Sequence, residues 1–262
     1  MLAGAALLLA AQAAAAADLA IQAMPPPPVF GGWYLRGDIG FSNQNVRDIR
    51  FVDVNGNTPD QQNLTKGFDT AGIFDLGVGY QFNSWFRVDV TGQYRGKSHF
   101  QGVNSVDQGG GLFLAESDFA SKSEWVVLAN VYADLGTWWS VTPFIGAGVG
   151  VSDIRISNFQ DNTAIVDSRN FATGHNKSNF AWAVHAGLAY HVTPNFAVEL
   201  AYHYLDLGDA STGPMLTGFL PVGDPAGSNE FHHITSHDLT LGVRWLFAAP
   251  PPPPMYPMVT KG

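Results

Sequence analysis

The chain has 262 residues, of which 13% are charged and 46% are hydrophobic; a disordered chain needs low hydrophobicity and high charge, so disorder is excluded. The formal net charge of −9 argues against broad nucleic-acid binding, which normally requires a basic face. The sequence contains no cysteine, which excludes disulfides, thiolate metal sites and cysteine nucleophiles.

The two ends of the chain differ in composition from its middle. Residues 1–17 are almost wholly apolar and end in three alanines, which predicts a signal peptide cleaved before Asp18. A transmembrane anchor is the alternative, although the segment is at the short end of the roughly 17–25 residues that a spanning helix needs. Proline tracts characterise a linker at residues 18–31 and a tail at residues 248–262, and we expect both to be extended spacers. The predicted folded domain covers residues 32–247.

Within this domain hydrophobicity alternates with a period of two, which is typical of β-strands. The first predicted strand, residues 33–41, places Trp33 and Ile39 on one face and Arg36 and Asp38 on the other. Seven further segments repeat the alternation, at residues 74–82, 86–95, 125–135, 145–151, 180–190, 196–204 and 238–247. Turns of a few residues follow the second, fourth and sixth strands. Longer segments follow the others, at residues 42–68, 96–123, 152–179 and 206–236.

The apolar face carries no charged residue in any of the eight strands, and the polar face uses Arg without Lys. A soluble lipocalin-like barrel would turn the polar face to water and would need many Lys and Glu there. A membrane barrel turns the apolar face to lipid and encloses the polar face, where Arg and Asp suit paired charges. Aromatic residues near both strand ends favour the membrane barrel.

The pattern therefore predicts an all-β fold: an eight-stranded, antiparallel, up-and-down transmembrane β-barrel. In outer-membrane barrels the short turns are periplasmic and the long loops extracellular. We accordingly expect four long extracellular loops, short periplasmic turns, both termini in the periplasm, and a location in the cell outer membrane.

Six segments carry a resemblance to a known family. They are GWYLRGDIG (32–40), YQFNSWFRVDVTGQYR (80–95), LANVYADLG (128–136), TPFIGAGVGV (142–151), AYHVTPNFAVELAYHYLDLGD (189–209) and LGVRWLF (241–247). The chain resembles the small outer-membrane β-barrel proteins of α-proteobacteria, the porin-like, opacity-type surface antigens. The resemblance implies a structural envelope protein without a shared catalytic motif. It also implies that Phe247 resembles the terminal aromatic residue read by the barrel assembly machinery, although a Pro-rich tail follows it.

The interior of an eight-stranded barrel is just wide enough for its own side chains, so we expect a plug of paired charges rather than an open channel. His185 and His203 are predicted to lie opposite each other, either as members of the plug or in a metal or proton-switch role. The predicted interior network consists of Arg36, Asp38, Asp75, Arg87, Asp89, Arg95, Asp134, Glu199, His185, His203, Asp238 and Arg244.

The last long segment contains a candidate divalent-cation or haem site. Its residues are His232, His233, His237, Asp224 and Glu230, and the alternative is that they are ordinary loop residues. His237 and Ser236 are adjacent in one strand and point to opposite faces, so they cannot form a catalytic dyad. No GxSxG or HExxH motif is present, and we expect neither an enzyme nor a cofactor.

The sequence thus predicts a structural outer-membrane barrel that displays surface loops for interaction or adhesion. The alternatives are a narrow porin-like channel with weak ion conductance and a haem- or metal-binding surface receptor. The expected partners are outer-membrane lipids and lipopolysaccharide, the barrel assembly machinery during biogenesis, and a surface or peptidoglycan partner, but no nucleic acid.

Overall fold

The computed structural model of the chain describes residues 31–107, 113–163, 168–216 and 227–247. The predicted signal peptide, the linker up to residue 30 and the C-terminal tail lie outside these residues. The described residues form eleven strands: β1 Gly32–Asp53, β2 Gln61–Phe68, β3 Ala71–Gln81, β4 Phe86–Asp107, β5 Phe113–Asp134, β6 Val141–Thr163, β7 Ser168–Ala172, β8 His175–Thr193, β9 Phe196–Ser211, β10 Met215–Leu216 and β11 Gly227–Leu246.

Eight of these strands close into a ring in which every neighbouring pair is antiparallel. The order around the ring is β1, β3, β4, β5, β6, β8, β9 and β11, and β11 pairs with β1 to close it. The three short strands add to this ring, because β2 pairs with β4, β7 with β6, and β10 with β7. The eight-stranded antiparallel barrel predicted from the alternation is confirmed.

The strands extend far beyond the predicted segments. Strands β4 and β5 each contain 22 residues, about 70 Å of chain at roughly 3.3 Å per residue. A membrane-spanning strand needs only about 9–11 residues. The segments at residues 42–68, 96–123, 152–179 and 206–236, expected to be long loops, therefore mostly continue the strands.

The barrel has two halves that differ in which face of the strands is apolar. The half next to the short turns is called the proximal half and comprises residues 32–42, 71–95, 124–152, 180–205 and 236–247. The remaining strand residues form the distal half. On β6 the proximal residues Ile145 and Val149 point outward and are exposed, whereas the distal residues Ile154 and Phe159 point inward and are buried. Distal outward positions such as Arg155 are polar and exposed.

This reversal indicates a different solvent around each half. An apolar exterior suits acyl chains, and an apolar interior with a polar exterior suits water. The distal interior is a packed core of a kind found in soluble proteins. Four of its aromatic rings lie within 5.3–6.5 Å of a neighbouring ring centroid, namely Phe68, Phe100, Phe159 and Phe231.

No helix in the described part of the chain is both long and apolar enough to cross a bilayer.

Candidate functional site: the barrel interior and its distal end

Glu199 is the shared acceptor of three arginines in the proximal interior. Alternation along β9 turns it inward between Ala197 and Ala201, whose small side chains leave room for guanidinium groups. The Arg244 Nε lies 2.7 Å from Glu199 Oε1, the Arg87 Nη1 3.6 Å from the same atom, and the Arg36 Nη2 3.8 Å from Oε2. The four side chains are at most 4% exposed.

Arg36 links this group to a second pair of carboxylates. Its Nε and Nη2 both donate to Asp38 at 3.0 Å, a two-pronged contact that the planar guanidinium favours. Its Nη1 lies 3.4 Å from Asp89 Oδ2 and donates to the Tyr132 hydroxyl at 3.0 Å. The Tyr34 hydroxyl donates to the same Asp89 oxygen at 3.0 Å. Each charge in this group therefore has an opposite charge or a phenol as neighbour.

Arg87 is held by two carboxylates, Asp134 and Glu199, and by two rings. Its Nε donates to Asp134 Oδ1 at 3.2 Å. Its guanidinium carbon lies 4.4 Å from the centre of the Tyr132 ring and 4.7 Å from that of Phe144. Neither Nη1 nor Nη2 has a hydrogen-bond acceptor. Arg87 therefore depends on charge attraction to Glu199 and on cation–π contact more than on hydrogen bonds.

A second charged group lies at the junction of the two halves. Arg95 contacts Asp238 through both terminal nitrogens, and its Nε lies 3.4 Å from Glu124 Oε1. Lys122 donates to Glu124 Oε2 at 2.6 Å and lies 4.9 Å from the centre of the Phe68 ring. The expectation of an interior with Arg and no Lys is therefore corrected. The signal was present in the sequence, because Lys122 and Glu124 share the parity of the inward Asn130 on β5.

The two predicted interior histidines are paired across β8 and β9. His185 lies directly opposite His203, and their Nδ1 atoms are 2.7 Å apart, so only one hydrogen fits between them. Asn130 donates to Asp89 at 2.8 Å, which turns its carbonyl oxygen toward His185 Nε2 at 3.2 Å. Because the Asn130 oxygen can only accept, His185 Nε2 must carry a hydrogen. His203 then donates from Nδ1 to His185, and its Nε2 accepts from the Thr240 hydroxyl at 2.8 Å.

The space beside the histidine pair is small. A cavity of about 10 Å³ lies beside Arg36, Asp75 and the histidine pair, which is at the limit for one water molecule. Asp75 accepts from Gln93 at 3.4 Å, and in the described residues no cationic nitrogen lies within 4 Å of its carboxylate. The twelve predicted interior residues thus form two ion-pair groups, a histidine pair and one carboxylate without a close cation.

Of the four described residues of the predicted metal or haem site, His232 and Glu230 are in contact. His232 lies 3.5 Å from Asp209 and 3.3 Å from Glu230. His233 has a positive φ of 55° and lies 3.6 Å from Asp206.

His237 points outward and shares a 2.6 Å hydrogen bond with the Tyr202 hydroxyl. Asp224 lies outside the described residues. Within the described ranges no three His, Asp or Glu side chains converge as metal ligands.

A group of acids at the distal end was missed by the sequence reading. Burial and the charges of neighbouring carboxylates raise the pKa of Glu116 to about 7 and the pKa of Asp118 to about 8. Burial also raises the pKa of Asp161. Their inward parity was hidden because the sequence reading treated residues 96–123 and 152–179 as loops.

Comparison with known proteins gives consistent results. The family described as "Outer membrane protein beta-barrel domain" matches residues 2–247. An uncharacterized protein of Brucella abortus is 31% identical over 208 residues, covering 69% of each chain. A candidate adhesin of Rickettsia bellii is 27% identical over 215 residues, covering 81% of this chain and 87% of that protein. The structural alignment with the outer membrane protease OmpT of Escherichia coli covers 86% of this chain and 99% of that chain. The two are 10% identical in sequence, with a TM-score of 0.51. That likeness is one of fold alone.

Proposed function

The chain belongs to the outer-membrane β-barrel family of Gram-negative bacteria, and from this premise we propose that it is a structural envelope protein for surface display. In this proposal the proximal half lies in the outer membrane and is closed by its own side chains. The distal half projects from the cell and presents its strand connections to external partners. The observation that carries the proposal is the reversal of apolar and polar faces between the two halves.

The distal half is built as a rigid support. Residues 96–107 of β4 continue the strand by twelve positions beyond the proximal half, about 40 Å of chain at roughly 3.3 Å per residue. Phe100 and Phe231 are completely buried inside this part. A packed core of this kind holds the distal strands rigidly, which lowers the entropy lost when a partner binds to them.

The exposed distal surface provides a polar binding surface for such a partner. An open groove of about 720 Å³ lies beside β1 and β2, and it carries charges of both signs from Asp48, Arg50, Asp60 and Lys66. The name of the Rickettsia bellii relative supports adhesion as the form of interaction. We propose no enzymatic role, because most proximal carboxylates are paired with arginines and the two interior histidines are paired with each other.

The proximal interior argues against the alternative of a channel. The two ion-pair groups, around Glu199 and around Arg95, occupy the proximal interior, and the cavity near the histidine pair has room for about one water molecule. An aqueous pathway would have to break buried ion pairs, which costs several kcal/mol.

The arrangement in the cell follows from the same proposal. The short turns and both termini lie in the periplasm, and lipopolysaccharide surrounds the distal end of the apolar exterior. The barrel assembly machinery is the partner during biogenesis. A peptidoglycan partner for the termini is a second part of the proposal and rests on the composition of the Pro-rich segments alone.

Adherence and conductance together test the function. Escherichia coli cells that display the full chain should adhere to cultured animal cells more than cells that display an unrelated eight-stranded barrel at the same level. The purified barrel should give no stable, large conductance steps in a planar bilayer. Equal adherence would contradict the surface-interaction role, and stable open-channel steps would contradict the closed interior.

A further inference from the structure

The distal end of the inner wall carries a group of carboxylates without a counter-charge. Asp118 on β5 and Asp161 on β6 are direct cross-strand partners, point inward, and are 2% and 7% exposed. Directly opposed side chains on neighbouring strands have Cβ atoms about 4.5–5.5 Å apart. Glu116, two residues along β5 on the same face, is half-buried and lies toward the barrel opening.

Two side-chain amides border the same group. Asn104 on β4 lies opposite Glu116 and donates to Asp118. Asn170 on β7 lies opposite Asp161 and donates to it at 3.0 Å. Three oxygens are left buried and without a hydrogen-bond partner: Asn104 Oδ1, Asn170 Oδ1 and Asp161 Oδ1. Asn104 is 3% exposed, so bulk water does not satisfy its orphan oxygen. Buried acceptors of this kind are rare, and each costs about 1–3 kcal/mol unless a partner is bound.

The group differs from the other carboxylates inside the barrel. Asp38, Glu199 and Asp238 each contact an arginine. In the described residues no Lys, Arg or His nitrogen lies within 4 Å of Glu116, Asp118 or Asp161, and their only charged neighbours are one another. A buried carboxylate normally has a paired cation or coordinates a metal.

We propose that Asp118 and Asp161, together with the Asn104 and Asn170 amide oxygens, form a binding site for one divalent cation of the calcium class. Calcium takes six to eight oxygen ligands from carboxylates, side-chain amides and water. Two carboxylates and two amides supply part of that shell, and water supplies the rest. Magnesium requires stricter octahedral geometry and loses its water reluctantly, so the enclosed group favours calcium.

The position of the site explains how the ion enters and what it does. Glu116 lies between the buried pair and the distal ends of β5 and β6, so it provides the entry side. Calcium modules exposed to the extracellular medium bind with a Kd of about 10⁻⁴–10⁻³ M. An ion at this place ties β4, β5, β6 and β7 together at the end of the barrel. The inference is independent of adhesion, because it needs only that the distal opening meets calcium.

The test uses the full chain refolded in detergent without lipopolysaccharide and stripped with EGTA. Calorimetric titration with CaCl₂ should show one ion per chain, with a Kd of about 10⁻⁴–10⁻³ M, and weaker binding of MgCl₂. The double variant Asp118→Asn with Asp161→Asn should lose at least tenfold in affinity. Asp153→Asn is the matched control, because Asp153 lies on β6 but contacts only Asn176 and Ser178 at the outer surface.

A second variant keeps the test decisive if the double variant folds poorly. Asn170→Asp adds a carboxylate to the half-buried edge of the site and should tighten calcium binding severalfold. Calcium binding that is unchanged in both variants would overturn the proposal. The absence of calcium binding to the wild-type chain would overturn it as well, and stabilisation of that chain by acid would then show that protons alone neutralise the carboxylates.

Discussion

Removing the charge of Glu199 should destabilise the barrel by leaving a buried guanidinium without a partner. Glu199→Gln keeps the size of the side chain. Arg36 retains Asp38 and Asp89, and Arg87 retains Asp134, but no other carboxylate in the described residues lies within 4 Å of Arg244. Among the described residues Arg244 keeps the Gln81 side-chain Oε1, to which its Nη1 donates at 3.1 Å, and the Tyr34 ring at 5.6 Å.

The expected magnitude is that of breaking one buried ion pair. Removing one partner of such a pair costs about 3–5 kcal/mol, a large share of the roughly 5–15 kcal/mol of a typical folded domain. The double variant Glu199→Gln with Arg244→Gln removes both charges and should recover about 2 kcal/mol or more of that loss. Directly contacting residues show coupling energies of about 0.5–3 kcal/mol.

The assay is urea unfolding in phosphatidylcholine vesicles, with the folded fraction read from heat-modifiable migration on gels. Asp75→Asn is the matched control, because Asp75 is also an inward carboxylate but has no cationic nitrogen within 4 Å in the described part of the chain. It should be neutral or stabilising. A Glu199→Gln cost below about 1 kcal/mol, or no recovery in the double variant, would refute the account of a paired interior.

Two further substitution pairs test the packing of the two halves. Phe231→Ala should lower the free energy of unfolding by about 3–5 kcal/mol because it leaves a cavity in the distal aromatic core. Phe119→Ala on the outer surface should change it by no more than about 0.5 kcal/mol. Equal effects of the two variants in urea unfolding would disprove the distal core. Gly150→Ala should cost about 1–3 kcal/mol, since its Cβ would lie 1.9 Å from the Val127 carbonyl oxygen. Gly92→Ala has no atom within 4 Å of the new Cβ and should fold normally, so a similar yield of heat-modifiable barrel for both glycine variants would contradict the close strand packing.

The proximal half was predictable because lipid imposes a strict pattern on the sequence. Outward strand positions there are almost all apolar, so a charge such as Arg36 or Asp238 identifies the inward face directly. Pairing of His185 with His203 followed from counting back along two strands from a short turn. A polar residue on the outward face of a strand would have interrupted the alternation of apolar and polar residues along it.

The distal half was not predictable by the same reasoning, for two physical reasons. Water outside and an apolar core inside reverse the pattern, so Ile154 and Ile156 have the inward parity of Gly148 and Ser152 and interrupt the alternation that the proximal half follows. Irregular residues also shift the parity: Asn158 has a positive φ of 53°, and Ile156 and Phe159 on either side of it both point inward. Lys122 was overlooked because it lies three residues before Trp125, the first residue of the predicted strand.

The same irregularities conceal the distal acids. Asp161 points inward only because of the shift at Asn158, so its encounter with Asp118 needs the actual register of β5 against β6. Hydrophobic periodicity carries no information on such a register once both faces contain polar residues. The candidate calcium site therefore required the structure.

The central claim, that the proximal exterior faces lipid and the distal exterior faces water outside the cell, is most directly tested by single-cysteine labelling. The absence of native cysteine makes the background clean. On intact cells, a maleimide too large to cross the outer membrane should label Arg155→Cys and leave Val149→Cys unlabelled. Ser84→Cys, in the turn between β3 and β4, should react only after the outer membrane is permeabilised. Labelling of Val149→Cys as fast as Arg155→Cys, or of Ser84→Cys on intact cells, would contradict the orientation assigned to the barrel.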